Sequence, residues 1–168
     1  MSFVPPFSLA LRAQLGRWSA WGALLVVALQ LGGAMYEHLV VDTVWPTHPA
    51  LIRPDQGGID RARFWIPSHS ALTLLLPLAL WANWPQRNAR RWLLLATALY
   101  VALRAWTFTY FLPAALLFES PQPPTTQLAE DARRWVALSV LRLPLHVGTA
   151  AAVWAALAAS SRARVQAT

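Results

Sequence analysis

The sequence contains no cysteine, which excludes disulfides, iron–sulfur clusters and thiolate metal sites within this chain. It also has little charge: 12% of its residues are charged and 57% are hydrophobic. Soluble domains average about 25% charged and about 45–50% hydrophobic residues. So few charges cannot cover the surface of a water-soluble domain of 168 residues. The composition therefore indicates one domain that lies in a lipid bilayer.

Several motifs of well-known enzyme classes are also missing. The sequence has no glycine-rich phosphate-binding loop, no GxSxG nucleophile turn and no HExxH zinc motif. Nothing in it therefore indicates a nucleotide-dependent enzyme or a serine hydrolase.

Four apolar stretches are long enough to cross a bilayer, which takes about 20 helical residues for about 30 Å of hydrocarbon. They are Trp18–Val41, Phe64–Trp84, Trp92–Leu117 and Arg134–Ala159. The longer segments between them, 42–63 and 119–133, are rich in proline and charge, and we expect them to be external loops. The sequence thus predicts an all-α fold, an integral membrane four-helix bundle that forms a single domain over residues 1–168.

The basic residues are distributed unevenly between the two ends of the predicted bundle. The N-terminal segment, the turn after the second helix and the C-terminal segment together carry seven arginines and no acidic residue. The two external loops, together with Arg134 at the start of the fourth predicted helix, carry five arginines and six acidic residues. Arginine-rich segments remain on the cytoplasmic side of a membrane. We therefore expect cytoplasmic N- and C-termini in the inner membrane of a bacterium, and the formal charge of +7 requires no nucleic acid partner.

Each predicted helix carries polar residues on one face, at depths where an ionisable side chain costs about 2.5–3.5 kcal/mol to insert. These stripes follow helical spacing. They comprise Gln30, Gly33 and Glu37 in the first helix, with Tyr36 and His38 alongside, His69 and Thr73 in the second, Thr97, Tyr100, Arg104 and Thr107 in the third, and Ser139, Arg142, His146 and Thr149 in the fourth. Four such stripes in one bundle predict a shared polar pocket that opens toward the external loops.

The charges inside the spans are unbalanced, because Arg104 and Arg142 are cationic and Glu37 is the single acid. The sequence favours a pocket for an apolar or amphipathic molecule that bears an acidic or enolisable oxygen, since arginine suits the recognition of such anions. The expected ligand-binding residues are Arg104, Arg142, Tyr100, Thr107 and Ser139. The alternative is a non-enzymatic accessory subunit or small transporter. Its polar core would be structural, with an interhelical salt bridge that locks the bundle, or would bind an ion or a partner.

The catalytic candidates are His69, His146, Glu37 and His38. A histidine titrates near neutrality, so His69 or His146 would take or return a proton, while Glu37 would orient a histidine. If a metal ion bound, His38, His69 and Glu37 would hold it, because imidazole and carboxylate ligands suit zinc, iron or copper.

No cofactor is firmly implied by the sequence. Neither HxxxH nor ExxH spacing occurs. A haem held by two histidines would need ligands at matched depth, which only His38 and His69 approach. Ala28 and Gly32, one turn apart, would permit close packing of helices, including oligomerisation.

Two segments carry a resemblance to a known family. Phe108–Pro113 (FTYFLP) ends the third helix, and Trp135–Arg142 (WVALSVLR) lies in the fourth. Together with a first helix that ends in a polar and aromatic patch, they resemble the anthrone oxygenase-like group of small four-helix membrane proteins. The resemblance implies the oxygenation of a polycyclic aromatic substrate, and hence a membrane oxidoreductase or oxygenase without a tightly bound organic cofactor.

Overall fold

The structure is a computed structural model that describes residues 7–120, 123 and 125–165, with side chains described for residues 10–120, 123 and 125–162. Every regular element in these ranges is helical, so the prediction of an all-α fold is confirmed. The α-helices are α1 (Phe7–Tyr36), α2 (Ala62–Ala82), α3 (Arg87–Trp106), α4 (Leu112–Glu119), α5 (Thr126–Ser139) and α6 (Leu143–Val165).

Short turns of other helix types join these α-helices into longer rods. A π-helix over Glu37–Val41 continues α1, and a second over Thr107–Phe111 joins α3 to α4. A 3₁₀ turn over Val140–Arg142 joins α5 to α6. The described chain therefore forms four rods that are long and apolar enough to cross a membrane, as predicted. They are Ala10–Val41, Ala62–Ala82, Arg87–Glu119 and Thr126–Arg162.

The rods pack as an antiparallel bundle in which α1 contacts α2 and α6, and α6 contacts α3. Small and aliphatic side chains such as Ala23, Leu76 and Val153 fill its centre. The Asn83 amide donates to the Gly16 carbonyl at 3.1 Å, and a Cβ at residue 16 would come within 2.7 Å of that amide, so glycine permits this contact. We call the end with Gly16 and the 83–86 turn the terminal end, and the opposite end the loop end.

A second apolar cluster lies at the loop end and is dominated by aromatic residues. Trp45 follows the π-helix of the first rod, and its ring centroid lies 5.8 Å from that of Trp135 on α5 and 5.2 Å from that of Phe118 on α4. The indole N–H of Trp135 donates to the Phe111 carbonyl at 3.1 Å. Ile52 is completely buried in the same cluster.

The expected loops are shorter than predicted. Residues 126–133 of the expected loop 119–133 belong to α5, which is capped where the Thr125 hydroxyl accepts the Leu128 N–H at 3.1 Å. The expected loop 42–63 contains the 3₁₀ turns Pro49–Ile52 and Pro54–Gln56, and its last two residues begin α2. Hydropathy identifies where a helix is apolar, so polar helical turns at the ends of a span escape it.

The same cause moves other helix bounds. The first rod is helical from Phe7 where Trp18 was predicted, and the third begins at Arg87 where Trp92 was predicted. The fourth continues to Val165, beyond the predicted end at Ala159. In the opposite direction, α2 ends at Ala82, two residues before the predicted Trp84, because Asn83 binds the Ala79 carbonyl and caps the helix.

Candidate functional site

The candidate site is a polar layer between the two apolar clusters. We call the cluster of small and aliphatic side chains that contains Leu76 the terminal-end cluster, and the aromatic cluster that contains Trp45 the loop-end cluster. On the first rod, Gln30 and Glu37 lie between Val27 of the terminal-end cluster and Val41 of the loop-end cluster. On the fourth rod, Arg142 and His146 lie after Trp135 and before Ala152 in the same way. We use the name polar layer for these residues and those that contact them at this level. It comprises Gln30, Glu37, His38, Asp42, Trp65, His69, Thr73, Tyr100, Arg104, Thr107, Ser139, Arg142 and His146.

The backbone of three rods departs from α-helical geometry at the level of this layer. The Asp42 N–H donates to the Glu37 carbonyl at 2.7 Å, a π-type bond over five residues. Pro113 and Pro144 follow the other two irregular turns, and each lacks the N–H that would bind the carbonyl four residues earlier. Single π turns within α-helices occur frequently at functional sites.

Glu37 is engaged by a tryptophan of α2 rather than by an arginine. The indole N–H of Trp65 donates to Glu37 Oε1 at 2.8 Å. The ring of Trp65 stacks on that of His69, with centroids 5.5 Å apart and planes at 25°. The Gln30 amide nitrogen lies 3.2 Å from His69 Nδ1 and donates to it. Glu37 therefore influences His69 through Trp65, and Gln30 orients the imidazole directly.

The predicted ligand-binding hydroxyls already donate to protein groups. Tyr100 Oη donates to the His69 carbonyl at 2.9 Å and lies 2.8 Å from Thr73 Oγ1, which joins α2 to α3. Thr107 donates to the Leu103 carbonyl at 2.8 Å, within its own rod. Ser139 donates to the Val136 carbonyl at 2.8 Å and reaches Asp42 Oδ2 at 3.4 Å. These hydroxyls can still accept a hydrogen bond from a ligand.

Asp42 is a buried member of the site that the sequence analysis assigned to a loop. Its Oδ1 accepts the indole N–H of Trp45 at 2.8 Å, and its Oδ2 lies 3.7 Å from His38 Nδ1. Burial raises the pKa of Asp42 above its ordinary value of 3.8, more than the Trp45 hydrogen bond and the nearby Arg61 and His38 lower it. Its position four residues after His38 was the signal that could have identified it.

Arg142 and His146 lie one helical turn apart and have few partners. The guanidinium carbon of Arg142 lies 3.9 Å from the ring centroid of Phe111 and 5.7 Å from that of Trp135. Among the described residues, Arg142 has no carboxylate within 4.0 Å, and its buried Nε has no hydrogen-bond partner. His146 is 4% exposed, and its Nδ1 is also buried without a partner in the described chain.

Arg104, the other predicted anion-binding residue, lies over the ring of Phe108 at 4.3 Å. It too has no carboxylate within 4.0 Å in the part of the chain that is described. Arg61, which the sequence places in the first external loop, instead forms an ion pair with Glu119 at 2.7 Å. The two predicted anion-binding arginines thus lie on α3 (Arg104) and at the junction of α5 and α6 (Arg142), each without a carboxylate within 4.0 Å in the described chain.

The candidate metal ligands have separate partners. Glu37 accepts a hydrogen bond from Trp65, His69 accepts one from Gln30, and His38 lies beside Asp42. Within the described ranges, no three histidine, aspartate or glutamate side chains form a group that could hold a metal ion.

Comparison of the chain with protein-family models, with curated protein sequences and with solved structures finds no match in any of the three. The resemblance to anthrone oxygenase-like proteins therefore stays a prediction.

Proposed function

We propose that the chain is a small multi-pass membrane protein whose polar layer binds an apolar molecule through an acidic or enolisable oxygen and moves a proton on it. The proposal rests mainly on the surroundings of Arg142. Among the described residues, its buried Nε has no hydrogen-bond partner and its guanidinium has no carboxylate within 4.0 Å. The carboxylates of Glu37 and Asp42 act on the Arg142 charge only from beyond 4.0 Å. An anionic oxygen that forms good hydrogen bonds with the guanidinium would offset the cost of its partial burial.

His146 supplies the proton-transfer group of the proposed reaction. It lies one turn from Arg142, with Nδ1 buried and unpartnered in the described chain. In an enolisable carbonyl compound, the imidazole takes a proton from the carbon beside the carbonyl, and Arg142 holds the enolate oxygen. Return of the proton to another atom of the enolate gives a tautomer, so the reaction balances without an oxidant. The surrounding aromatic cluster keeps water from the enolate.

His69 is the second proton site in this proposal. Its imidazole is held between Gln30 and the ring of Trp65, so its position is fixed before a ligand binds. Arg104 would be a second cation that attracts the bound anion. Helical spacing predicts these residues, and Arg104, Arg142 and His146 each lie near enough to His69 to act on it electrostatically.

Binding of lawsone, an apolar hydroxynaphthoquinone with an acidic enol, to the protein in mild detergent tests the proposal. Arg142→Leu should weaken lawsone binding at least about tenfold, because a hydrogen bond to a charged group contributes about 1.5–3 kcal/mol. Arg63→Leu is the matched control, since the Arg63 side chain is 86% exposed and pairs with Asp60 at the surface. Wild-type protein that does not bind lawsone, or an Arg142 variant that binds it normally, would refute the proposal.

The proton-transfer step has a separate measurement. His146→Gln keeps hydrogen-bonding capacity but cannot titrate. It should slow the exchange of deuterium into the enolisable carbon of the bound probe by at least about tenfold, while lawsone still binds. If the exchange rate is unchanged, the protein binds the ligand but His146 does not transfer a proton to or from it.

We also propose that the terminal end lies in the cytoplasm and the loop end outside. The distribution of arginines supports this orientation in a cytoplasmic membrane. Reporter fusions after Arg90 should read cytoplasmic and fusions after Asp55 should read external. An external reading at Arg90 would overturn the orientation.

A non-enzymatic accessory subunit or small transporter is the second candidate. The internal hydrogen bonds of Glu37, His69 and Tyr100 favour it, because they join α1, α2 and α3 without a ligand. In that case the wild-type protein would show no more lawsone binding or deuterium exchange than detergent without protein. Arg142→Leu and His146→Gln would not change either measurement.

A further inference from the structure

An exposed groove runs along α1 and reaches the polar layer. It has a volume of about 620 Å³ and is lined by Leu25, Leu29, Gly32, Glu37 and Phe64, among others. This volume lies within the range of about 300–1,000 Å³ found for small-molecule sites. From Leu25 to Glu37 the groove extends about 18 Å along the helix, at about 1.5 Å per residue.

The two ends of the groove differ in chemistry. The part near Leu25, Leu29 and Gly32 presents hydrocarbon and backbone, whereas the other end presents the charged side chains of Glu37, Asp60 and Arg61. The Glu37 carboxylate also accepts the hydrogen bond from Trp65, whose ring stacks on His69. Glu37 therefore belongs both to the lining of the groove and to the polar layer, so the groove reaches the polar layer at this residue.

We infer that the groove holds the hydrocarbon tail of the ligand, an alkyl or prenyl chain, while the acidic head of the same molecule lies in the polar layer. This inference rests on the proposed function. An apolar trough that ends at an ionisable group complements an amphipathic molecule with one polar end. A ligand without a tail would use the polar layer alone.

Gly32 offers a way to fill the groove without disturbing the bundle. A Cβ at Gly32 would meet no heavy atom within 4 Å, so a side chain there projects into open space. At the neighbouring Gly33, a Cβ would come within 2.5 Å of the Phe64 ring, so a substitution there would displace the Phe64 side chain of α2. Glycine is a poor helix former, so replacing Gly32 does not weaken the helix itself.

The test compares lawsone with its dodecyl derivative, which adds a tail to the same acidic head. Gly32→Phe should weaken binding of dodecyl lawsone at least about tenfold and leave lawsone binding within about twofold, because only the tailed probe uses the groove. Gly32→Ala, which adds one methyl group, should have a smaller effect on the tailed probe. Met35→Phe is the control, since Met35 is 47% exposed on the same helix and does not line the groove.

The outcomes separate this inference from the proposed function. If wild-type protein binds neither probe, the proposed function is overturned and the tail site with it. If lawsone binds but Gly32→Phe weakens both probes equally, or neither, the proposed function stands and the tail site is wrong. Both variants are measured at the same detergent concentration. Partition of the tailed probe into micelles therefore affects the apparent affinities of the Gly32 and Met35 variants equally.

Two other occupants of the groove would give different results. If Gly32→Phe leaves the affinity for dodecyl lawsone unchanged but converts a dimer to a monomer, a second copy of the chain occupies the groove. If it leaves that affinity unchanged but releases a co-purifying phospholipid, detected by native mass spectrometry, a membrane lipid occupies it. Either result overturns the assignment of the groove to the ligand tail.

Discussion

The terminal-end cluster and the polar layer use burial in opposite ways. Leu72 and Leu76 are at most 1% exposed and consist entirely of apolar side-chain atoms. Gln30 and His146 are almost as buried, yet each leaves a polar atom without a partner in the described chain. Such an atom costs about 1–3 kcal/mol. This contrast predicts that the terminal-end cluster stabilises the bundle, whereas the unpartnered polar atoms of the polar layer destabilise it. Under the proposed function, a ligand would supply partners for these atoms.

The largest effect on stability is expected in the terminal-end cluster. Leu76→Ala should lower the free energy of unfolding by about 2–5 kcal/mol, because it leaves a cavity among packed helices. The apparent melting temperature in mild detergent measures this. Leu74→Ala is the control, since Leu74 is 73% exposed and its loss leaves no cavity. Equal shifts for the two variants would mean that this cluster is not the packed core.

An opposite and smaller effect is expected in the polar layer. His146→Leu should leave the melting temperature unchanged or raise it, by up to about 1–3 kcal/mol in free energy of unfolding, because it removes an unpartnered buried polar atom. The same substitution should abolish deuterium exchange into the bound probe. A loss of stability as large as that of Leu76→Ala would make His146 a structural residue and remove the contrast between the two regions.

The smallest effect is a pH dependence of stability at Asp42. Because burial raises the pKa of Asp42, the folded protein binds this proton more tightly than the unfolded chain does. The carboxyl therefore favours folding below about pH 4, and this contribution is lost as the pH rises from the ordinary pKa of 3.8 through the raised value.

Asp42→Asn should remove this fall in stability while keeping an acceptor for the Trp45 indole. Melting temperatures of the two proteins, compared at intervals between about pH 4 and pH 7, measure the difference. If the wild-type protein loses no stability relative to the variant across this range, Asp42 is not held in a desolvated site.

Composition and hydropathy were sufficient to predict four helices long and apolar enough to span a membrane, because about 20 apolar residues in a row have few other uses. They were insufficient for helix bounds, since polar turns such as those after Thr125 and Arg87 are helical for local reasons. Capping by Thr125 and the absence of a helix breaker after Arg87 decide those bounds.

Helical spacing selected His69, Arg142 and His146, but it did not select their partners. Glu37 was expected to orient a histidine or, in the alternative, to form a salt bridge with an arginine, yet its hydrogen-bond donor is the indole of Trp65. Tryptophan near a helix end is typical of the membrane interface, so its indole N–H was not considered as a donor to the site. Which side chains on different rods form hydrogen bonds depends on the distances between the rods. The spacing of residues along a single sequence does not give these distances.

The two π-helical turns have a consequence for the phase of the rods. A π turn carries more residues than an α turn, and each residue added to an α-helix rotates all that follow by about 100°. A helical wheel drawn through α1 therefore loses phase at Glu37–Val41 and misplaces Asp42. Deleting one residue within this turn would return it to α-helical geometry while swinging Trp45 away from Trp135. Chain length within a single turn thus decides which aromatic side chains meet at the loop end.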